Sequence, residues 1–178
     1  MRSALVFACL LVASPAAADD LRGWIGAGGR NAIGLAYSDF GVYAMGGLWL
    51  LDEHLQPFAR IGWSQGGGDG ASIDAFRFGA GLGVGAPLAR DHVWLGGTVA
   101  IEGASVWSQA GGDARVVGML SLSALFQLRI FERFLIGVEA GPDFFPSLLR
   151  SRSGVLEWDA VRINAGLRLG VVLGAPVK

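Results

Sequence analysis

The chain has 178 residues, of which 29 are glycine, 52% are hydrophobic and only 16% are charged, with 14 Lys and Arg against 15 Asp and Glu. Ordinary globular chains carry roughly a quarter charged residues and about 7% glycine, so polar surface is in short supply here. The apolar content excludes a disordered chain, the lack of a glycine at every third position excludes collagen, and the near-neutral charge excludes a nucleic-acid partner.

Arg2 supplies a short positive end, residues 4–13 are apolar, and Pro15 breaks that stretch ahead of Ala16, Ala17, Ala18 and the acidic pair Asp19 and Asp20. This pattern predicts a cleaved secretory signal over residues 1–18, with cleavage near Ala18. A membrane anchor would need about 20 apolar residues, about twice what is present. The expected mature domain, 19–178, has 178 − 18 = 160 residues. It loses Arg2, giving 13 − 15 = −2, and also the chain's one cysteine, Cys9, so no disulfide or thiol chemistry is expected.

No later apolar run approaches 18 residues, which excludes a transmembrane helix. What recurs is period two, the signature of strands. Over 72–86 the even positions Phe76, Phe78, Ala80, Leu82 and Val84 are apolar, while Arg77, Gly79, Gly81, Gly83 and Gly85 alternate with them. Val93, Leu95, Val99 and Ile101 face away from Thr98, Ala100 and Glu102. Val116, Leu120, Leu122, Ala124, Phe126 and Leu128 oppose Arg115, Ser121, Ser123 and Gln127. Phe134, Ile136, Val138 and Ala140 oppose Gly137, Glu139, Gly141 and Asp143. From Val161 to Leu173 seven consecutive apolar residues alternate with Arg162, Asn164, Gly166, Arg168 and Gly170.

A soluble barrel or sandwich turns its apolar face inward and satisfies water with Lys, Glu, Thr and Ser outside. Here the second face is mostly glycine and alanine, and the mature chain has a single lysine, Lys178. Reversed, the pattern fits a membrane barrel: long apolar side chains meet lipid, while glycine and a few charges share a narrow lumen.

Short connections at 52–55, 87–91 and 129–133 alternate with glycine-rich or polar links at 65–71, 108–113 and 146–155. Bacterial barrels have short periplasmic turns and longer outer loops, so this order sets the orientation. Eight strands are predicted: one from near Leu21, one ending at Leu51, then 58–64, 72–85, 92–106, 114–128, 134–144 and 156–173. Two turn signals, Gly28-Gly29-Arg30-Asn31 and Ser38-Asp39-Phe40-Gly41, leave six residues between them, too few to span a membrane. One hairpin with a bulge is expected there, with ten strands as the alternative. Trp63, Trp107 and Phe144 have lipid-facing parity near the outer ends, and Phe126 and Phe134 near the periplasmic ends, where large rings prefer the membrane interface. The parity of Trp24, Tyr43 and Trp49 is left open by the sequence.

Leu55-Gln56-Pro57-Phe58-Ala59-Arg60-Ile61-Gly62 resembles the second hairpin of small OmpA-like and opacity-type outer-membrane barrels. Phe78-Gly79-Ala80-Gly81-Leu82-Gly83-Val84-Gly85, followed by a turn and the strand carrying Glu102, is similar to the middle of the same families. The resemblance is one of pattern over most of residues 20–173. It implies an all-β, eight-stranded antiparallel up-and-down transmembrane barrel in the outer membrane, in contact with lipid, lipopolysaccharide and the barrel assembly machinery. Such barrels end in an aromatic residue, whereas this chain ends Leu173-Gly174-Ala175-Pro176-Val177-Lys178.

By parity the lumen receives Arg60, Arg77, Arg115, Arg162 and Arg168 with Glu102 and Glu139. Unpaired charges in a narrow interior are costly, so pairs are expected. Reflection across the turns puts Glu102 within about two positions of Arg77, and Glu139 beside Arg162, in diagonal reach. These pairs predict a plugged interior, with a cationic pathway for anions as the alternative. Catalysis would need a histidine with a serine or acidic partner at the outer rim. His54 and His92 fall at periplasmic turns, and no catalytic residue, cofactor or metal site is predicted. The expected function is non-enzymatic, structural or surface-interacting, by a monomer; the alternatives are a channel or carrier for anionic or hydrophobic solutes and a soluble, lipocalin-like periplasmic barrel.

Overall fold

The computed structural model describes residues 22–34, 38–68, 71–89, 92–108, 115–144 and 161–174. The leader expected over 1–18 lies outside them, as do the links at 109–114 and 145–160 and the end of the chain beyond Gly174.

Strands form where apolar residues alternate with small or polar ones, because successive side chains of an extended backbone point to opposite faces. The strands are β1 (Arg22–Ile33), β2 (Ser38–Trp49), β3 (Leu55–Gly68), β4 (Ala71–Leu88), β5 (Val93–Ser108), β6 (Arg115–Ile130), β7 (Phe134–Phe144) and β8 (Val161–Leu173). Each pairs antiparallel with its neighbour in sequence, and β1 pairs with β8, which closes an eight-stranded up-and-down barrel. Closure removes the sheet edges and satisfies the backbone internally, the condition for crossing hydrocarbon. Turns at 51–54 and 131–133, with Ala89 and His92, share one end of the barrel with Arg22 and Leu173, here the turn end; the opposite end is the loop end.

Several of the expected boundaries are revised: Leu55 opens β3, Pro87 and Leu88 extend β4, and Arg129 and Ile130 extend β6, so the links expected at 52–55, 87–91 and 129–133 are partly strand. Residues 28–31 and 38–41 are strand, not turn: β1 and β2 pair without interruption from Arg22 opposite Trp49 to Ile33 opposite Ser38. There is no bulge in this hairpin and no room for a ten-stranded arrangement. The 65–71 link is also mostly strand, since β3 runs to Gly68 and β4 starts at Ala71.

The two faces differ in character. On β8, Val161, Ile163, Leu167, Leu169, Val171 and Leu173 lie on the outside, Ile163 at 60% exposure, while Arg162 between them is 1% exposed. The same holds on β4, where Phe76, Phe78, Leu82 and Val84 are exposed. The buried core is therefore the lumen. Glycine makes it spacious enough for side chains: a Cβ on Gly81 would come within 2.6 Å of Phe58 Cζ, and one on Gly79 within 2.6 Å of Glu102 Cγ.

Candidate functional site: the packed lumen

Among the described residues the lumen is occupied by side chains in bands. Nearest the loop end, Ile73, Ala75, Val106, Val117 and Met119 form an apolar cluster on the inward faces of β4, β5 and β6. Nearer the turn end, Trp24, Met45, Trp49, Phe58, Ala100 and Leu135 form a second cluster, with Tyr43 and Val172 packed on it. The inward parity of β1 and β2 thus places Trp24, Tyr43 and Trp49 inside the barrel.

Between the clusters runs an ionic chain. Arg168 donates to Glu139, which also accepts from Arg60 Nη1 at 3.3 Å and from the Tyr43 hydroxyl at 3.4 Å. Arg60 reaches on to Glu102, which accepts from Arg30 Nη1 at 3.0 Å. Arg30 continues to Asp143 and to Ser121 Oγ, the latter at 3.0 Å. Asp143 is fully buried and accepts from Ser121 Oγ at 2.9 Å and Asn164 Nδ2 at 2.8 Å. Aromatic faces enclose the cations: the Arg60 guanidinium lies 5.7 Å from the Tyr43 ring and 5.9 Å from Phe58, and that of Arg168 lies 5.4 Å from Phe58. Closer to the loop end, Asp39 Oδ2 accepts from Arg77 Nη2 at 2.6 Å and Arg162 Nη1 at 2.7 Å.

At the turn end the β2–β3 turn folds into the mouth. Glu53 accepts from Arg22 Nη1 and from Arg129 Nη2, both at 2.7 Å, and its carbonyl accepts from Trp94 Nε1 at 2.7 Å. Arg129 stacks 5.0 Å from the Trp49 ring. Gln56 donates to Gln127 Oε1 at 3.1 Å just above.

Charged groups in a low-dielectric interior are tolerable when paired and hydrogen-bonded, and arginine suits such pairing because its planar fork offers several donors at once. The chemistry of this lumen is therefore cohesion: charges on β1, β2, β3, β4, β5, β7 and β8 are cross-linked through the centre of the barrel. Among the described residues no group of three His, Cys, Asp or Glu side chains is placed to hold a metal ion. His54 is exposed on its turn, with Nδ1 2.9 Å from the Leu51 carbonyl.

Of the site residues named from the sequence, Arg60, Glu102, Glu139, Arg162 and Arg168 are buried in the lumen and Arg77 is largely so. Arg115 begins β6, and its side chain lies outside the described set. The expected partners change. Glu102 takes Arg30 and Arg60, and Arg77 goes to Asp39; Glu139 takes Arg60 and Arg168, and Arg162 joins Arg77 on Asp39. Arg168 and Glu139 meet diagonally on adjacent strands, within what reflection across a hairpin finds, whereas the other pairs join strands that are not neighbours in the wall. Trp63, Phe126 and Phe134 are exposed on the outer face; Trp107 is half-buried, edge-on to Trp63 at 4.8 Å, and Phe144 is half-buried at the end of β7.

Arg30, Asp39 and Asp143 are central to the chain of charges and were not among the sequence-derived sites. The signal was present: Trp24, Arg30 and Ala32 share the even parity of β1, but Gly28 and Gly29 imitate a turn.

No protein-family model matches this chain, and no curated protein matches it. Among solved structures it is similar to Neisserial surface protein A (NspA), at 13% identity and a TM-score of 0.53, over 87% of this chain and 97% of that one. It is also similar to Ail, the attachment invasion locus protein of Yersinia pestis, at 13% identity and a TM-score of 0.50, over 86% of this chain and 97% of that one. What is shared at this identity is the fold, the closed eight-stranded up-and-down barrel.

Proposed function

We propose that the chain is a non-enzymatic outer-membrane barrel of a diderm bacterium, secreted through its leader and inserted as a monomer, with a structural or surface-interacting role. The observation that carries this reading is the inversion of its two faces: Ile163, Leu167 and Leu169 are exposed around a lumen in which Arg162, Glu102 and Asp143 are buried. In water that arrangement would leave a continuous apolar wall exposed; in a bilayer the wall meets hydrocarbon, and the paired charges are screened from it. An eight-stranded barrel has an interior just wide enough for side chains, which supports a closed lumen over a conducting one. The fold shared with a Neisserial surface protein and with an attachment and invasion protein supports exposure at the cell surface.

Cell fractionation combined with gel migration before and after heating tests this. The barrel is expected in the detergent-extracted outer membrane, migrating differently when unheated. Release by osmotic shock without detergent would show a soluble periplasmic barrel instead.

A further inference from the structure

The turn-end mouth contains two guanidinium groups arranged around one carboxylate, and that carboxylate belongs to a turn. Arg22 enters from the first residue of β1 and Arg129 from the end of β6, on strands well separated around the barrel. Each gives one Nη to Glu53 at 2.7 Å. Each also keeps a buried Nε without a hydrogen-bond partner. A bidentate carboxylate normally takes an Nε–Nη or Nη–Nη pair from one arginine, so the cradle holds donors that Glu53 does not use. Trp49 lies beneath Arg129 and Trp94 donates to the Glu53 carbonyl, so the floor of the cradle is aromatic and fixed.

The way Glu53 is delivered is also telling. Leu51, Asp52 and Glu53 have φ values of 52°, 52° and 68°, three consecutive non-glycine residues in the left-handed region. Such backbone persists only where the surroundings enforce it. Leu51 at the tip is 71% exposed; the turn is closed by backbone hydrogen bonds, Leu50 N to Leu55 O at 2.9 Å, Leu55 N to Leu50 O at 3.1 Å and His54 N to Leu51 O at 3.1 Å, to which Glu53 adds its two arginine contacts.

We propose that Arg22 and Arg129 form a carboxylate-binding site at the turn-side mouth, which Glu53 occupies as an internal ligand. The β2–β3 turn then acts as a latch. A carboxylate-bearing ligand that also engages the free Nε donors displaces Glu53, relaxes the strained turn and opens the cup floored by Trp49 and Trp94. The site is separate from the ionic chain in mid-lumen, so opening it leaves the barrel closed.

The test uses the full chain in detergent micelles, with sodium acetate as probe against sodium chloride at matched ionic strength. A tethered ligand competes at an effective concentration on the order of millimolar. Removing it by Glu53→Ala is therefore expected to lower the apparent Kd for acetate at least tenfold, read as saturable protection against thermal unfolding. The Glu53→Ala, Arg129→Gln double variant is expected to lose that protection. In a chain that retains Glu53, a spin label on Asp52→Cys in a Cys9→Ser background is expected to gain mobility as acetate rises. Equal protection by acetate and chloride in Glu53→Ala overturns the proposal, as does a label at position 52 that stays immobile at saturating acetate. Should Glu53→Ala fail to fold, the label measurement decides alone.

Discussion

Arg30 on β1 and Asp143 on β7 meet at the centre of the barrel, 113 residues apart in the chain. Ser121 and Asn164 complete the shell around the aspartate, while Arg30 extends the other way to Glu102. This pair joins two strands on either side of β8, so it braces the seam at which the first and last strands close. Removing Arg30 leaves Asp143 charged and buried with only the neutral donors Ser121 and Asn164, and removing Asp143 leaves Arg30 with Glu102 as its one remaining carboxylate. Arg30→Met or Asp143→Leu is expected to destabilise the barrel by about 3–5 kcal/mol in reversible urea unfolding from vesicles. The double variant should lose much less than the sum, because neither charge is then stranded.

A lumen packed with side chains should not conduct. The protein in planar bilayers is expected to show no sustained single-channel current. Sustained currents that vanish when Arg77 or Arg162 is neutralised would establish an anion pathway in place of a plug.

Gly81 faces Phe58 with no space for a side chain, the added Cβ falling 2.6 Å from Cζ. Gly81→Val overfills this point and is expected to cost about 1–3 kcal/mol by equilibrium unfolding, or to block insertion. Pairing it with Phe58→Leu should recover part of the loss; no recovery would mean that backbone geometry, and not the ring, excludes the larger residue.

The outer face should respond to charge according to depth. Leu169→Arg, well inside β8, is expected to cost about 2–4 kcal/mol in vesicles, whereas Val161→Arg at the loop-end terminus of the same strand should cost about 0–1 kcal/mol. Equal and small effects at both positions would indicate that this face meets water.

Trp63 on β3 and Trp107 on β5 contact edge-on across the outer face of the intervening β4. A double-mutant cycle to alanine is expected to give a coupling of about 0.5–1.5 kcal/mol. A value near zero would leave each ring acting on its own at the interface.

How much of this was legible depended on whether the determining contacts were local. Val161 to Leu173 alternates so regularly that its two faces can be assigned from the residues themselves, and Leu167 and Arg168 lie on opposite sides of the wall accordingly. The first hairpin was harder. Gly28, Gly29 and Gly41 read as turns because glycine accommodates turn backbone, yet a Cβ on Gly28 would come within 2.6 Å of the Tyr43 ring. There glycine provides clearance inside a strand, a need visible only once Tyr43 is known to point inward. Mistaking these glycines for a turn also concealed Arg30 and Asp39.

By itself the sequence determined the alternation of faces and the segregation of apolar from charged residues, because both follow from period two within a few residues, while the uninterrupted pairing of β1 with β2 decided for eight strands over ten. Which arginine meets which carboxylate was decided only by tertiary structure. Closing the sheet brings β1, β3, β5 and β7 within side-chain reach across the lumen, a proximity that spacing along the chain does not encode. Arg30 thus pairs with Glu102 and Asp143, and Arg77 with Asp39.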